Sequence, residues 1–184
     1  PSGLLRALPP VARAVLREQR RRLLSRATGR VLDLGGGDDQ SLLGGADEIV
    51  LAPSACAHAA ASGEARSGDD DAGSFDAVVS VLHLATVADL PAELSAVCRL
   101  LGPDGRLLFL EPVRQPGFGG RLRSAASPVV RLASGWRVDR DLPLAIRSNH
   151  LTIVDIERIT MPPIVWPVRA FVLGAASRPI GDPR

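Results

Sequence analysis

At 184 residues, 46% of them hydrophobic, the chain has the size and composition of one domain with an adequate core, and no apolar run approaches the roughly 20 residues needed to cross a bilayer. All 22 basic residues are arginine, which excludes lysine nucleophiles and Schiff-base chemistry. Net charge is only +2 but unevenly spread: residues 1–30 carry eight arginines against Glu18 alone, and residues 31–76 carry ten carboxylates against Arg66 alone, an acidic middle unsuited to a nucleic-acid groove.

In chain order, Leu4 to Leu8 make a turn or two before Pro9-Pro10, and a helix begins with Pro10 in its first turn. Ala12, Val15, Leu16, Gln19 and Leu23 form its mostly apolar stripe, with Arg13, Arg17, Arg20 and Arg21 around it. Such a segment, residues 1–28, is expected to pack on the domain with solvated arginines; peripheral membrane contact or a lid is the other reading. The first thirty residues lack the apolar run and cleavage site of a signal peptide. Cys56 and Cys98 have no paired spacing, so a reduced, cytoplasmic protein without structural zinc is expected.

The main domain is expected over 29–175. Val31, Leu32 and Leu34 read as a short buried strand running straight into Gly35-Gly36-Gly37, where backbone can approach a ligand closely. Ser41 to Leu43 leave room for only a short helix before the second strand, Glu48 to Leu51, ended by Ala52-Pro53-Ser54. Ala55 to Ala61 is an abbreviated helix or turn, Ala61 to Ala65 a weak third strand, and Asp69-Asp70-Asp71 an acidic loop best read as solvated, with no ligand set for a metal. Phe75 to Leu82 is the clearest strand, rich in β-branched residues. Asp89, Leu90 and Pro91 open a helix with apolar residues at Leu90, Leu94, Val97, Cys98 and Leu101, and Gly102 to Gly105 turn into a fifth strand, Arg106 to Leu110. Helices are read over 121–134 and 139–148, two last strands over 151–161 and 168–173 as a hairpin, and a tail over 176–184. The alternation predicts an α/β, Rossmann-like doubly wound sheet, mostly parallel with an antiparallel C-terminal hairpin and shortened first two connecting helices.

From Gly29 to about Pro112 this order of parts resembles the class I S-adenosylmethionine-dependent methyltransferases, closest to the small-molecule group that includes ubiquinone and menaquinone methyltransferases. Val31-Leu32-Asp33-Leu34-Gly35-Gly36-Gly37 resembles the nucleotide loop, and Gly63-Glu64-Ala65 the segment whose acid meets the adenine amino group. Ser74 to Ser80 with Val81-Leu82-His83 resembles the fourth strand and the loop beneath the methionine moiety; Cys98 to Leu107 resembles the turn written R-x-L-x-P-G-G. The resemblance implies S-adenosyl-L-methionine as cofactor and S-adenosyl-L-homocysteine as product. It implies cofactor contacts from Asp33, Gly35, Gly36, Gly37, Asp38, Ala52, Pro53, Gly63, Glu64, Ala65, Ser80 and Val81. Two departures stand out: Asp39 occupies the third glycine position, and Ala52 replaces the carboxylate that holds both ribose hydroxyls. Losing such a charged contact costs about 1.5–3 kcal/mol.

A hydroxyl acceptor needs a general base, and His83, Glu111 and His150 are the catalytic candidates. His83 lies just past the fourth strand, Glu111 at the end of the fifth and His150 before the sixth; packing for the histidines and backbone capping for Glu111 are the competing roles. His58, Trp136 and Trp166 are weaker candidates, the tryptophans for a pocket or the core. There is no G-x-S-x-G, Walker or H-E-x-x-H motif. The expected function is methyl transfer to a small molecule, oxygen being the preferred acceptor atom, without nucleic-acid or transmembrane partners and with a homodimer as one assembly. The alternative is a degenerate relative serving as a binding module or partner subunit.

Overall fold

The computed structural model describes residues 10–34, 43–57, 72–113, 137, 140–160 and 170–179. Among them are strands β1 (Gly29–Leu34), β2 (Ala46–Ala52), β3 (Phe75–Val81), β4 (Leu101–Pro112), β5 (Thr152–Thr160) and β6 (Ala170–Ser177), with helices α1 (Pro10–Leu24), α2 (Leu90–Leu100) and α3 (Leu142–Ser148). The expected third strand, the acidic loop at 69–71, the helix over 121–134, His58 and both tryptophans lie outside the described residues.

One sheet has the order β2-β1-β3-β4-β6-β5. Pairs β1–β2, β1–β3 and β3–β4 are parallel, and β6 is antiparallel to both β4 and β5. Only β6 is therefore reversed, and β5 runs with the parallel strands. Central strands carry unbroken apolar runs because both faces are covered. On one face Val31, Val79, Leu108, Leu110, Phe171 and Leu173 pack with Ala12, Leu16, Leu23 and Leu24 of α1. On the other, Leu32, Val78, Leu107, Phe109 and Val172 pack with Leu90, Leu94 and Val97 of α2 and Leu142 and Ile146 of α3. Each fully buried phenylalanine, Phe75, Phe109 and Phe171, contributes roughly 1.5–3 kcal/mol of apolar burial.

The arginines of α1 are partly spent on the domain. Arg22 pairs with Glu157 of β5 at 3.1 Å, and Arg26 pairs with Asp155 of the same strand. Half-exposed pairs of this kind contribute at most about 1 kcal/mol each. Strand β6 runs to Ser177, past the expected end at Leu173, because Leu107 and Arg106 of β4 pair with Ala176 and Ser177. Gly174 lies where a Cβ would come within 2.4 Å of the Asp155 carbonyl, beside the irregularity of β5 between Ile153 and Asp155.

Strands β2 and β3 flank β1 on opposite sides, a topological switch point, and the space outside the carboxyl ends there is the usual ligand crevice of an open α/β sheet. Leu34 pairs there with Ala52 and Ser80. His150 lies elsewhere. It precedes Thr152, which pairs with Ser177, which pairs with Arg106 of β4. Glu111 is five residues further along β4, roughly 17 Å away. His150 is therefore on the opposite rim from the crevice, exposed, and not available as a catalytic base there.

Its backbone explains its presence. Helix α3 ends with Leu151 N–H donating to the Ile146 carbonyl at 3.3 Å, and His150 takes the left-handed position (φ 58°) that glycine fills most cheaply. His150→Gly is expected to raise stability by about 0.5–1 kcal/mol in urea denaturation and to leave function at the other rim unchanged.

Candidate active site

Three stretches build the carboxyl rim: the end of β1 with buried Asp33, the end of β3 with the turn Val81 to Thr86, and the end of β4 with Glu111. Asp33 shares a face with Val31, and its neighbours across the ladder are Leu51 of β2 and Val79 of β3. Ala52 is buried at the end of β2 and Pro53 is exposed beyond it. Gly35 to Gly37, Asp38, Asp39 and Gly63 to Ala65 lie outside the described residues.

The turn after β3 is held from inside by a carboxylate. Glu111, 0% exposed, accepts the N–H groups of His83 (2.9 Å) and Leu84 (2.9 Å) and the Ser80 hydroxyl (2.7 Å) on Oε1, and the Ala85 N–H (3.1 Å) on Oε2. Successive N–H groups pointing inward make a concavity for an acceptor, and here the acceptor is the chain's own carboxyl group. Glu111 is thus engaged by three backbone N–H groups and the Ser80 hydroxyl and has no exposed surface, which corrects the expectation that it touches substrate. Ser80, expected to floor the methionine moiety, has its hydroxyl turned to Glu111.

Leu82 pays for this geometry. It sits at φ 60°, an uncommon conformation for leucine, with its side chain buried and its N–H on the Leu110 carbonyl at 2.9 Å. The carbonyls of the turn face outward to arginine. Arg140 donates to Leu84 O (2.8 Å), Val87 O (2.7 Å) and Ala88 O (3.2 Å), and the Arg137 N–H reaches Ala85 O at 2.8 Å. Thr86 closes the turn with its N–H and hydroxyl on the His83 carbonyl.

His83 is 6% exposed, and its Nε2 lies 3.0 Å from Oε1 of Glu93 on α2. Glu93 is 2% exposed and also accepts the N–H groups of Ala55 (2.6 Å) and Cys56 (3.2 Å), which begin a helical turn three residues beyond Ala52. Burial pushes the Glu93 carboxyl upward, but the bonds from His83, Ala55 and Cys56 prevail and hold it below the usual carboxylate range. Burial and the neighbouring Glu93 raise the Cys56 thiol to about 11, so it is inert as a nucleophile. Glu93 and Arg140 are the residues that sequence reasoning missed. Glu93 had a signal: it follows Leu90 by three and precedes Val97 by four, on the buried stripe of the helix.

For Glu111 burial dominates and raises the carboxyl from 4.5 to about 7, with Ser80, Leu84 and Ala85 pulling back. Between those values the folded chain holds a proton that the unfolded chain has released. The stability contributed by Glu111 is therefore full below about 4.5 and lost as pH rises through about 7. Glu111→Gln is expected to cost about 1–3 kcal/mol at pH 7 in chemical denaturation, because an amide NH₂ then faces a backbone N–H, and to flatten the pH slope over that window.

A family model for a methyltransferase domain matches residues 11–157. The nocamycin O-methyltransferase of Saccharothrix syringae is 39% identical over 79 residues, 43% of this chain and 26% of that protein, so the chain spans about a quarter of that relative. Among solved structures, the N-methyltransferase NodS of Bradyrhizobium japonicum, in complex with S-adenosylhomocysteine, is 17% identical over 92% of this chain and 88% of its own, with a TM-score of 0.55. The [4+2]-cyclase SpnF is 16% identical over 89% of this chain and 81% of its own, with a TM-score of 0.58. The sheet order, the crevice at its carboxyl rim and the extent of the family match agree: the chain belongs to the methyltransferase-domain family, whose cofactor is S-adenosylmethionine.

Proposed function

We propose that this domain transfers a methyl group from S-adenosylmethionine to a hydroxyl of a small-molecule acceptor, with His83 taking the hydroxyl proton. The observation that carries the reading is the placement of His83: on a turn clamped by Glu111 and Arg140, directly beyond the β3 end of the crevice. Oxygen as the acceptor atom is supported by that imidazole and by the nocamycin O-methyltransferase relationship. A phenol, a sugar or a quinone-like ring all meet this requirement.

Support at the cofactor's amino-acid end comes from Asp33, a carboxylate buried at the end of β1, the chemistry that an ammonium group requires. At the ribose end Ala52 offers no charge. Bound S-adenosylmethionine supplies an electrophilic methyl group on a sulfonium. The chain's contribution would be alignment and proton removal: the acceptor hydroxyl would be held in line with that methyl group, with the sulfur as leaving group keeping the electron pair, and the hydroxyl proton would pass to His83.

Ala52 favours a second reading, a methyltransferase-fold protein that binds without catalysis, for which the SpnF likeness shows that the fold is no guarantee of the reaction. Calorimetry separates the two. S-adenosylhomocysteine is expected to bind with micromolar affinity, and Gly35→Val to abolish the heat. No heat and no melting shift at millimolar ligand would establish the non-catalytic reading. With an accepted substrate in hand, His83→Ala is expected to lower kcat by about 10²-fold or more while cofactor affinity stays within a few-fold.

A further inference from the structure

We propose that Glu93 is the positioning residue of this site: it accepts the Nε2–H of His83, so that the nitrogen left to carry the lone pair, whenever the ring has only one proton, is Nδ1. The catalytic meaning of this rests on the methyltransferase reading above; the tautomer is a property of the folded chain alone.

The argument is one of donors and acceptors. An ionised carboxylate accepts hydrogen bonds and donates none. Glu93 receives two backbone N–H groups, from Ala55 at 2.6 Å and Cys56 at 3.2 Å, which cannot reverse their polarity. The Cys56 thiol is a third group beside it, and all three favour the charged form over the acid. The 3.0 Å contact with His83 then has one consistent assignment, Nε2 as donor. In a neutral ring the proton-accepting nitrogen is Nδ1 by elimination.

Placement adds a second consequence. The same carboxylate that orients His83 gathers the N-terminus of the turn beginning at Ala55, three residues beyond the end of β2. Glu93 thereby ties the β2 end of the crevice to the β3 end. Its side chain is buried on α2, whose own start is fixed by Asp89 capping the Ala92 N–H at 3.0 Å and by Pro91 in the first turn. Rotation of the imidazole therefore requires giving up a contact with a carboxylate that the β2 end of the rim holds in place. A histidine held only by packing would have neither a preferred tautomer nor this link.

The test reads the imidazole directly. In the full chain carrying His58→Gln and His150→Gln, His83 is the one remaining histidine, and a long-range ¹H–¹⁵N correlation spectrum at pH 7.5 reports its tautomer. The expected spectrum is that of Nε2–H with unprotonated Nδ1. A dominant Nδ1–H form, or a ring averaging between the two, overturns the proposal. Glu93→Gln offers Nε2 both a donor and an acceptor, so the preference is expected to vanish, with kcat at least about tenfold lower and the KM for S-adenosylmethionine within about twofold. Glu93→Asp is expected to recover part of both. A Glu93→Gln protein that keeps tautomer and kcat overturns the positioning role. If that variant does not fold, the spectrum of the Glu93-containing chain decides by itself. A chain that shows the Nε2–H tautomer and binds cofactor but transfers no methyl group upholds the Glu93 contact and overturns the enzymatic reading instead.

Discussion

Everything at the ligand rim depends on one buried carboxylate meeting three consecutive backbone N–H groups. Glu111 ends β4, the turn after β3 ends the neighbouring strand, and their register, Val81 opposite Leu110, brings acid and amides into contact. Without the carboxylate, three buried donors would face an apolar interior, each at a cost of about 1–3 kcal/mol. With it, the chain can hold Leu82 in a left-handed conformation and direct His83 toward α2. The strain of a leucine at positive φ is the local price of a turn whose shape is dictated from below.

The division of labour among the acids follows from where each sits. Glu111 and Glu93 are both buried and both bonded to backbone N–H groups, yet their protonation differs in direction. Glu111 is sealed completely, and burial outweighs its four donors. Glu93 gains His83 as well as two amides and a thiol, and the donors prevail. One acid shapes the turn and the other faces the imidazole. Arg140 completes the arrangement from outside by taking the carbonyls of Leu84, Val87 and Ala88.

Much of this architecture was legible in the residues. The run from Phe75 to Val81 announces a buried strand through its β-branched side chains, and the spacing of Leu90, Leu94 and Val97 announces the helix after it. Alternation of strands and helices gave the parallel sheet and its crevice. Two features were not legible. Ala175 and Ala176 have little intrinsic preference for a strand, and they join β6 only because β4 presents unpaired groups beside them. His150 stands next to a strand in sequence, but the rim it occupies depends on strand direction, and β5 runs with the parallel set. For Glu111 and Glu93 the residue type was visible while the role was not. A carboxylate at a strand end or in a helix stripe becomes a ligand contact, a cap or an orienter according to which N–H groups the rest of the fold brings to it.

The same dependence bears on how a chain with Ala52 at the end of β2 can keep a working crevice. In this structure the negative charge near that strand end comes from α2, through Glu93, and it is already engaged by Ala55, Cys56 and His83. It stabilises the protein's own groups rather than standing open to a diol. Among the described residues, the charge of Glu93 supports the imidazole and the turn at Ala55. The contacts that orient His83 are with the chain's own Glu93, which Ala55 and Cys56 hold in turn.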